Sequence, residues 1–151
     1  MRTQQLVRVL LLFWALWFTV VTLTNLTDLL AGVGLLPAGF WWKSGNLGLI
    51  SEALQPVGLA TLAPVALLGA LLWEGLAAIL FFRATAAVGR SVPQRDILMA
   101  YLVGTGLFLV YIVIDELLLL YLKGLESAHL QIVIAQLATL AVIELFTPRS
   151  R

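Results

Sequence analysis

The chain has 151 residues, 62% of them apolar and 11% charged, with a formal net charge of +1, whereas soluble domains average about half apolar and a quarter charged. That density of apolar side chains argues against a water-solvated core and for helices that pair their backbone groups internally in lipid. Cysteine is absent and His129 is the single histidine, so disulfides, thiolate chemistry, sulfur-ligated zinc and a haem held between two histidines of this chain are excluded. The small net charge and scattered arginines give no footprint for nucleic acid.

Four apolar stretches follow in chain order, at about 6–26, 57–82, 97–120 and 130–146. Each comes close to the roughly 20 residues that cross about 30 Å of hydrocarbon. The expected fold is all-α, a single four-transmembrane-helix bundle over residues 1–151. Arg2 and Arg8 before the first stretch suggest a secretory signal, but the apolar run continues through Phe13, Trp14, Trp17 and Phe18 without a small-residue cleavage site, so a retained first helix is expected. Arg2, Arg8, Arg83, Arg90, Arg95, Arg149 and Arg151 fall on one side of these spans, and only Lys43 and Lys123 on the other. That bias predicts cytoplasmic N- and C-termini for a multi-pass membrane protein.

The first connection, from Asn25 to Pro56, is the longest and carries Trp41, Trp42 and Lys43, a combination suited to the headgroup region. After Asn46, the segment Leu47 to Leu54 reads as a short interfacial helix on the outer surface, before Pro56 opens the second span.

Polar residues inside spans are the candidates for function, since an ionisable group at the bilayer centre costs about 2.5–3.5 kcal/mol even on lenient insertion scales. Glu74 sits several turns from either end of the second stretch, and Ala63, Ala66, Ala70, Ala77 and Ala78 share its side at helical spacing. This stripe is expected to face another helix. A proton- or ion-binding carboxyl is the functional reading of Glu74. A glutamic acid donating one hydrogen bond between helices is the structural reading, which the lack of an evident aqueous path favours.

Asp115 and Glu116, late in the third stretch, diverge by about 100° and so are expected to face different partners. Asp115 shares a seam with Tyr101, Gly104, Phe108, Tyr111 and Leu118, and Tyr111 is placed to hydrogen-bond it. Glu116 shares its side with Thr105, Leu109 and Ile112, near the helix end. Asn25, Asp28, Asp115, Glu116, Glu126 and His129 are all assigned to the outer end, where they form either an oxygen-rich layer suited to a hard cation or a solvated collar. The collar is the safer account, and neither a metal nor a cofactor is expected. On the fourth stretch Ser127, Gln131, Ala135, Ala138, Thr139 and Val142 form a small, polar face expected to pack, with His129 and Gln136 on a different side.

At Asn25-Leu26-Thr27-Asp28 the chain resembles a bacterial family of small four-span integral membrane proteins of unknown function. That family shows Asn-Leu-Thr-Asp at the outer end of the first helix, a long loop with tryptophan, a glutamate inside the second helix and another late in the third. Glu74 and Glu116 match those two glutamates, while Asp115 departs from the pattern. The resemblance implies four spans and no particular activity.

No nucleophile with a base, no ligand set and no phosphate-cradling loop can be assembled, so no catalytic residue is expected. The leading expectation is a non-catalytic accessory or stabilising subunit of a larger membrane complex, such as a respiratory or photosynthetic assembly, or a self-associating bundle, with lipid and other membrane subunits as its partners. The alternatives are an oligomeric transporter or proton-coupled channel using Glu74, and a lipid or quinone binder using the Tyr101, Phe108 and Tyr111 seam.

Overall fold

The computed structural model describes residues 2–89, 94–118 and 125–146, and all regular structure among them is helical. Helix α1 spans Arg2–Gly32, α2 Asn46–Leu54, α3 Ala63–Ala87, α4 Gln94–Leu117 and α5 Leu125–Phe146. Short 3-10 turns at Gln55–Val57 and Ala60–Leu62 lead into α3. Four helices, α1, α3, α4 and α5, are long and apolar enough to cross a membrane.

Among the expected boundaries, the second span runs on to Ala87 rather than 82, and three others also move. The first span does not stop near residue 26 but continues to Gly32. Its late threonines bond back to helix carbonyls, Thr22 Oγ1 to Phe18 O and Thr24 Oγ1 to Val20 O and Val21 O. Asn25 and Asp28 turn their side chains to partners outside the helix instead of competing for its backbone. The helix ends where Gly34 takes a positive φ of 80° and Leu35 N donates to Leu30 O, a glycine termination with Pro37 shortly beyond. The second span begins at Ala63 rather than 57, because Pro56 and the left-handed Gly58 (φ 73°) first turn the chain. Pro64 then sits in the first helical turn, where a missing N–H costs nothing. The fourth helix starts earlier than expected, at Leu125. A short helix after Asn46 is present as α2. Residues 119 and 120 of the expected third span, and Lys123, Arg90, Arg149 and Arg151, lie outside the described residues.

The chain forms two compact units, Met1–Leu16 with Leu76–Arg151, and Trp17–Gly75. The first is a four-helix bundle. Val7, Leu11, Trp14 and Ala15 of α1 are buried, with Ala77, Ala78, Phe81 and Ala84 of α3, Ile97, Ala100, Tyr101, Leu107 and Phe108 of α4, and Val133 and Ile143 of α5. These spacings of three and four place each set on one helix face. Trp14 lies beside Phe81 at 6.5 Å between ring centroids, and Phe81 meets Tyr101 edge-on at 5.0 Å. Where α3 ends, Gly89 adopts a positive φ of 98° and Arg8 Nη2 donates to Val88 O at 2.8 Å, so a cation caps the carbonyl end of α3.

The second unit is held differently. Its buried side chains are Phe18, Asn25, Asp28, Ala63, Leu67 and Glu74, half of them polar or charged. Apolar burial gives little drive for association in lipid, and this unit relies on hydrogen bonds.

Candidate functional site

The polar cluster of the Trp17–Gly75 unit starts from Asn25 and Asp28, one turn apart on α1 and therefore on one face. Asn25 Nδ2 donates to both carboxyl oxygens of Glu74 on α3, at 2.9 Å to Oε1 and 2.8 Å to Oε2. Asn25 Oδ1 in turn accepts from Asn46 Nδ2 at 2.8 Å. Asn25 and Glu74 are 1% and 3% exposed, so a continuous hydrogen-bonded chain leads from the first residue of α2 to a buried carboxyl.

Asp28 holds the start of α2. Its Oδ2 accepts from the Leu47 backbone N–H at 2.8 Å and from Ser44 Oγ at 3.1 Å, while Ser44 Oγ accepts from the Asn46 N–H. The residue preceding α2, Gly45, is left-handed (φ 80°) and has no side chain with which to cap the helix. The cap comes instead from a carboxylate 19 residues earlier, placed where both the free N–H groups and the helix dipole favour an anion. Thr27 Oγ1 adds a bond to Trp42 O at 2.6 Å, and Ser44 N donates to Thr24 O. Within Asn25-Leu26-Thr27-Asp28, the three polar side chains thus all hold the loop, and Asn25 also holds α3. Trp41, next to this anchored segment, is 85% exposed.

In the four-helix unit, α4 and α5 are joined by successive polar pairs. Gln94 Nε2 reaches Glu144 Oε2 at 3.4 Å, Tyr101 OH donates to Thr139 Oγ1 at 3.0 Å, Thr105 Oγ1 donates to Gln136 Oε1 at 2.7 Å, and Asp115 Oδ2 faces His129 Nδ1 at 2.6 Å. As the partner advances along α4 it retreats along α5, the register of antiparallel neighbours. Thr139 Oγ1 also accepts Trp14 Nε1 at 2.9 Å and turns its own proton to the Ala135 and Gln136 carbonyls. Gln136 is fully buried, and its Nε2 finds no hydrogen-bond partner among the described residues.

The expected site residues separate accordingly. Glu74, Asn25 and Asp28 belong to one cluster, a joining the sequence reading did not anticipate because it placed Glu74 at mid-membrane and Asn25 at the rim. Asp115 is buried and paired with His129, whose ring packs against Tyr111 at 5.1 Å between centroids. Glu116 is exposed, as the 100° divergence required, and Glu126 is half-buried. Among the described residues no group of three His, Asp or Glu side chains is gathered to hold a metal ion.

The small, polar face of the fourth helix is not the one turned to α4. Ser127, Gln131, Ala135, Ala138 and Val142 are exposed, whereas Val133, Gln136 and Ile143 are buried, with His129 and Thr139 half-buried between them. Small side chains suggested close approach, but the hydrogen-bonding partners on α4 select the other face. The alanine stripe around Glu74 is inward at Ala63, Ala77 and Ala78 and exposed at Ala66. Tyr101 and Phe108 are buried in the bundle.

Compared with family models, curated proteins and solved structures, the chain matches none.

Proposed function

We propose that this multi-pass membrane protein is a non-catalytic accessory or stabilising subunit of a larger membrane complex in the bacterial inner membrane. The observation that carries the reading is the pairing of Glu74, whose two carboxyl oxygens both receive Asn25. A carboxyl committed to a neighbouring amide, itself tied to the loop by Asn46, is a structural clamp between helices and loop. Asp28, Thr139 and Asp115 are likewise occupied by partners within the chain. What the protein offers outward is apolar helix surface, including Leu72, Leu102, Ile134 and Leu145, and the anchored loop with its tryptophan. The small exposed face of Ala135 and Ala138 on α5 suits close helix packing against another subunit. The arginine side of the bundle is assigned to the cytoplasm on the positive-inside bias, and the Asn-Leu-Thr-Asp resemblance supports a bacterial source.

Gentle detergent extraction from native membranes, followed by native electrophoresis and mass spectrometry, tests this reading. The expected result is comigration with other polytopic subunits. A monomer with no larger assembly in the native extract would remove it.

One observation favours a second reading, a proton-coupled channel or transporter. The Asn46–Asn25–Glu74 chain places a buried carboxyl two side chains from the loop, within short reach of an entering proton. In that case Glu74→Gln abolishes flux in reconstituted vesicles and leaves the fold intact, and an inactive parent protein excludes it.

A further inference from the structure

At the arginine-bearing end of the four-helix unit, α3 and α4 leave a groove of about 470 Å³ lined by Leu80, Arg83, Arg95, Asp96 and Met99. That volume lies within the roughly 300–1,000 Å³ of small-ligand sites. Arg83 stands one turn from the end of α3, and Arg95 and Asp96 occupy the first turn of α4. Leu80 lies one turn deeper into its span than Arg83, and Met99 one turn deeper than Arg95. On both walls, therefore, the groove passes in the same direction from guanidinium to hydrocarbon. Beside it, Ile79, Phe82 and Leu98 are exposed, an apolar surround that only acyl chains solvate without cost.

Among the described residues, Asp96 is the one carboxylate in the lining, and it holds Arg83 loosely. Its Oδ1 lies 3.6 Å from Arg83 Nη2, with the two side chains 37% and 66% exposed. A charge-assisted hydrogen bond would be about 2.7–2.9 Å, and exposed pairs at longer range contribute little. Two guanidiniums against one carboxylate leave the groove net positive, and the N-terminal end of α4 adds to the same sign.

We propose that this groove binds one anionic phospholipid, with its phosphodiester between Arg83 and Arg95 and its acyl chains against Leu80 and Met99. Arginine matches the phosphate because its planar fork presents paired donors, and basic pockets between spans select acidic headgroups for the same reason. The order of charge and hydrocarbon along both walls is the order within a lipid, which a free phosphate would leave half unused. Asp96 acts against an anion, so its removal strengthens binding.

The test is native mass spectrometry of the full chain in neutral detergent, titrated with phosphatidylglycerol, phosphatidylcholine or inorganic phosphate. Expected are one phosphatidylglycerol per chain in preference to phosphatidylcholine, and a fall in that affinity on the order of tenfold or more in the double variant Arg83→Gln with Arg95→Gln. Asp96→Asn tightens phosphatidylglycerol binding, and Lys43→Gln, which removes a charge from the outer loop, leaves it unchanged. Equal binding of the two lipids, parental affinity in the double variant, or displacement of lipid by an equal concentration of phosphate would each overturn the proposal. If the double variant fails to fold, Asp96→Asn decides, since unchanged affinity there is incompatible with Asp96 opposing the headgroup.

Discussion

Asn25 sets a single amide nitrogen against both carboxyl oxygens of Glu74, 2.9 Å from one and 2.8 Å from the other. The two residues are 49 positions apart, and nearly all their surface is buried. Through Asn25 Oδ1 the same contact extends to Asn46, so one side chain joins α1, α2 and α3.

A double-mutant cycle on Asn25→Ala and Glu74→Ala measures the joint. Hydrogen bonds between membrane helices average about 0.6 kcal/mol and reach about 1.7. The doubly contacted pair is expected at or above about 1 kcal/mol. Reversible unfolding in mixed micelles provides the measurement, and a coupling indistinguishable from zero would show that the contact does not hold the helices.

Asp28→Ala removes the cap of α2 supplied from α1. The amide of Leu47 loses its acceptor, and an N-cap lost in this way costs about 0.5–2 kcal/mol. Because the cost falls on a short helix, it is expected as local opening. Hydrogen exchange at Leu47 accelerates several-fold, while amides in α4 keep the parental rate. Uniform acceleration throughout the chain would instead show that Asp28 supports the whole fold.

Thr139→Val is nearly isosteric but removes the hydroxyl that accepts from both Trp14 Nε1 and Tyr101 OH. Loss of an acceptor shared by two buried donors is expected to destabilise the protein by about 1 kcal/mol or more in chemical unfolding. Thr139→Ser retains the oxygen and is expected to recover most of it. Equal losses in the two variants would assign the effect to the methyl group.

Gln136 is fully buried and its Nε2 has no partner among the described residues, so its pair with Thr105 should add little net stability. Replacing both partners by apolar residues, Thr105→Val with Gln136→Leu, is expected to be neutral or stabilising, because it removes the stranded amide and the need for its partner together. Gln136→Ala alone opens a cavity and is expected to destabilise by about 1–3 kcal/mol. A double variant less stable than either single variant would show that the amide has a partner in the membrane, such as a water.

The helical class, the four spans and the short helix after Asn46 could be read from the residues in order, because lipid imposes a length and internal backbone pairing on any segment that crosses it. The divergence of Asp115 from Glu116 could be read in the same way, since 100° per residue is a property of the helix itself. Only the tertiary structure decided that Asn25 and Asp28 lie within a helix reaching Gly32, that Glu74 is their neighbour, and that Asp28 caps α2. It also decided that α5 turns Gln136 rather than Ala135 and Ala138 toward α4. Each of these depends on which polar atoms, 19 to 49 residues apart, come within 3 Å. Helical periodicity specifies the face on which a side chain stands, but a hydrogen bond requires a partner at a distance, and that distance is set by how the helices pack.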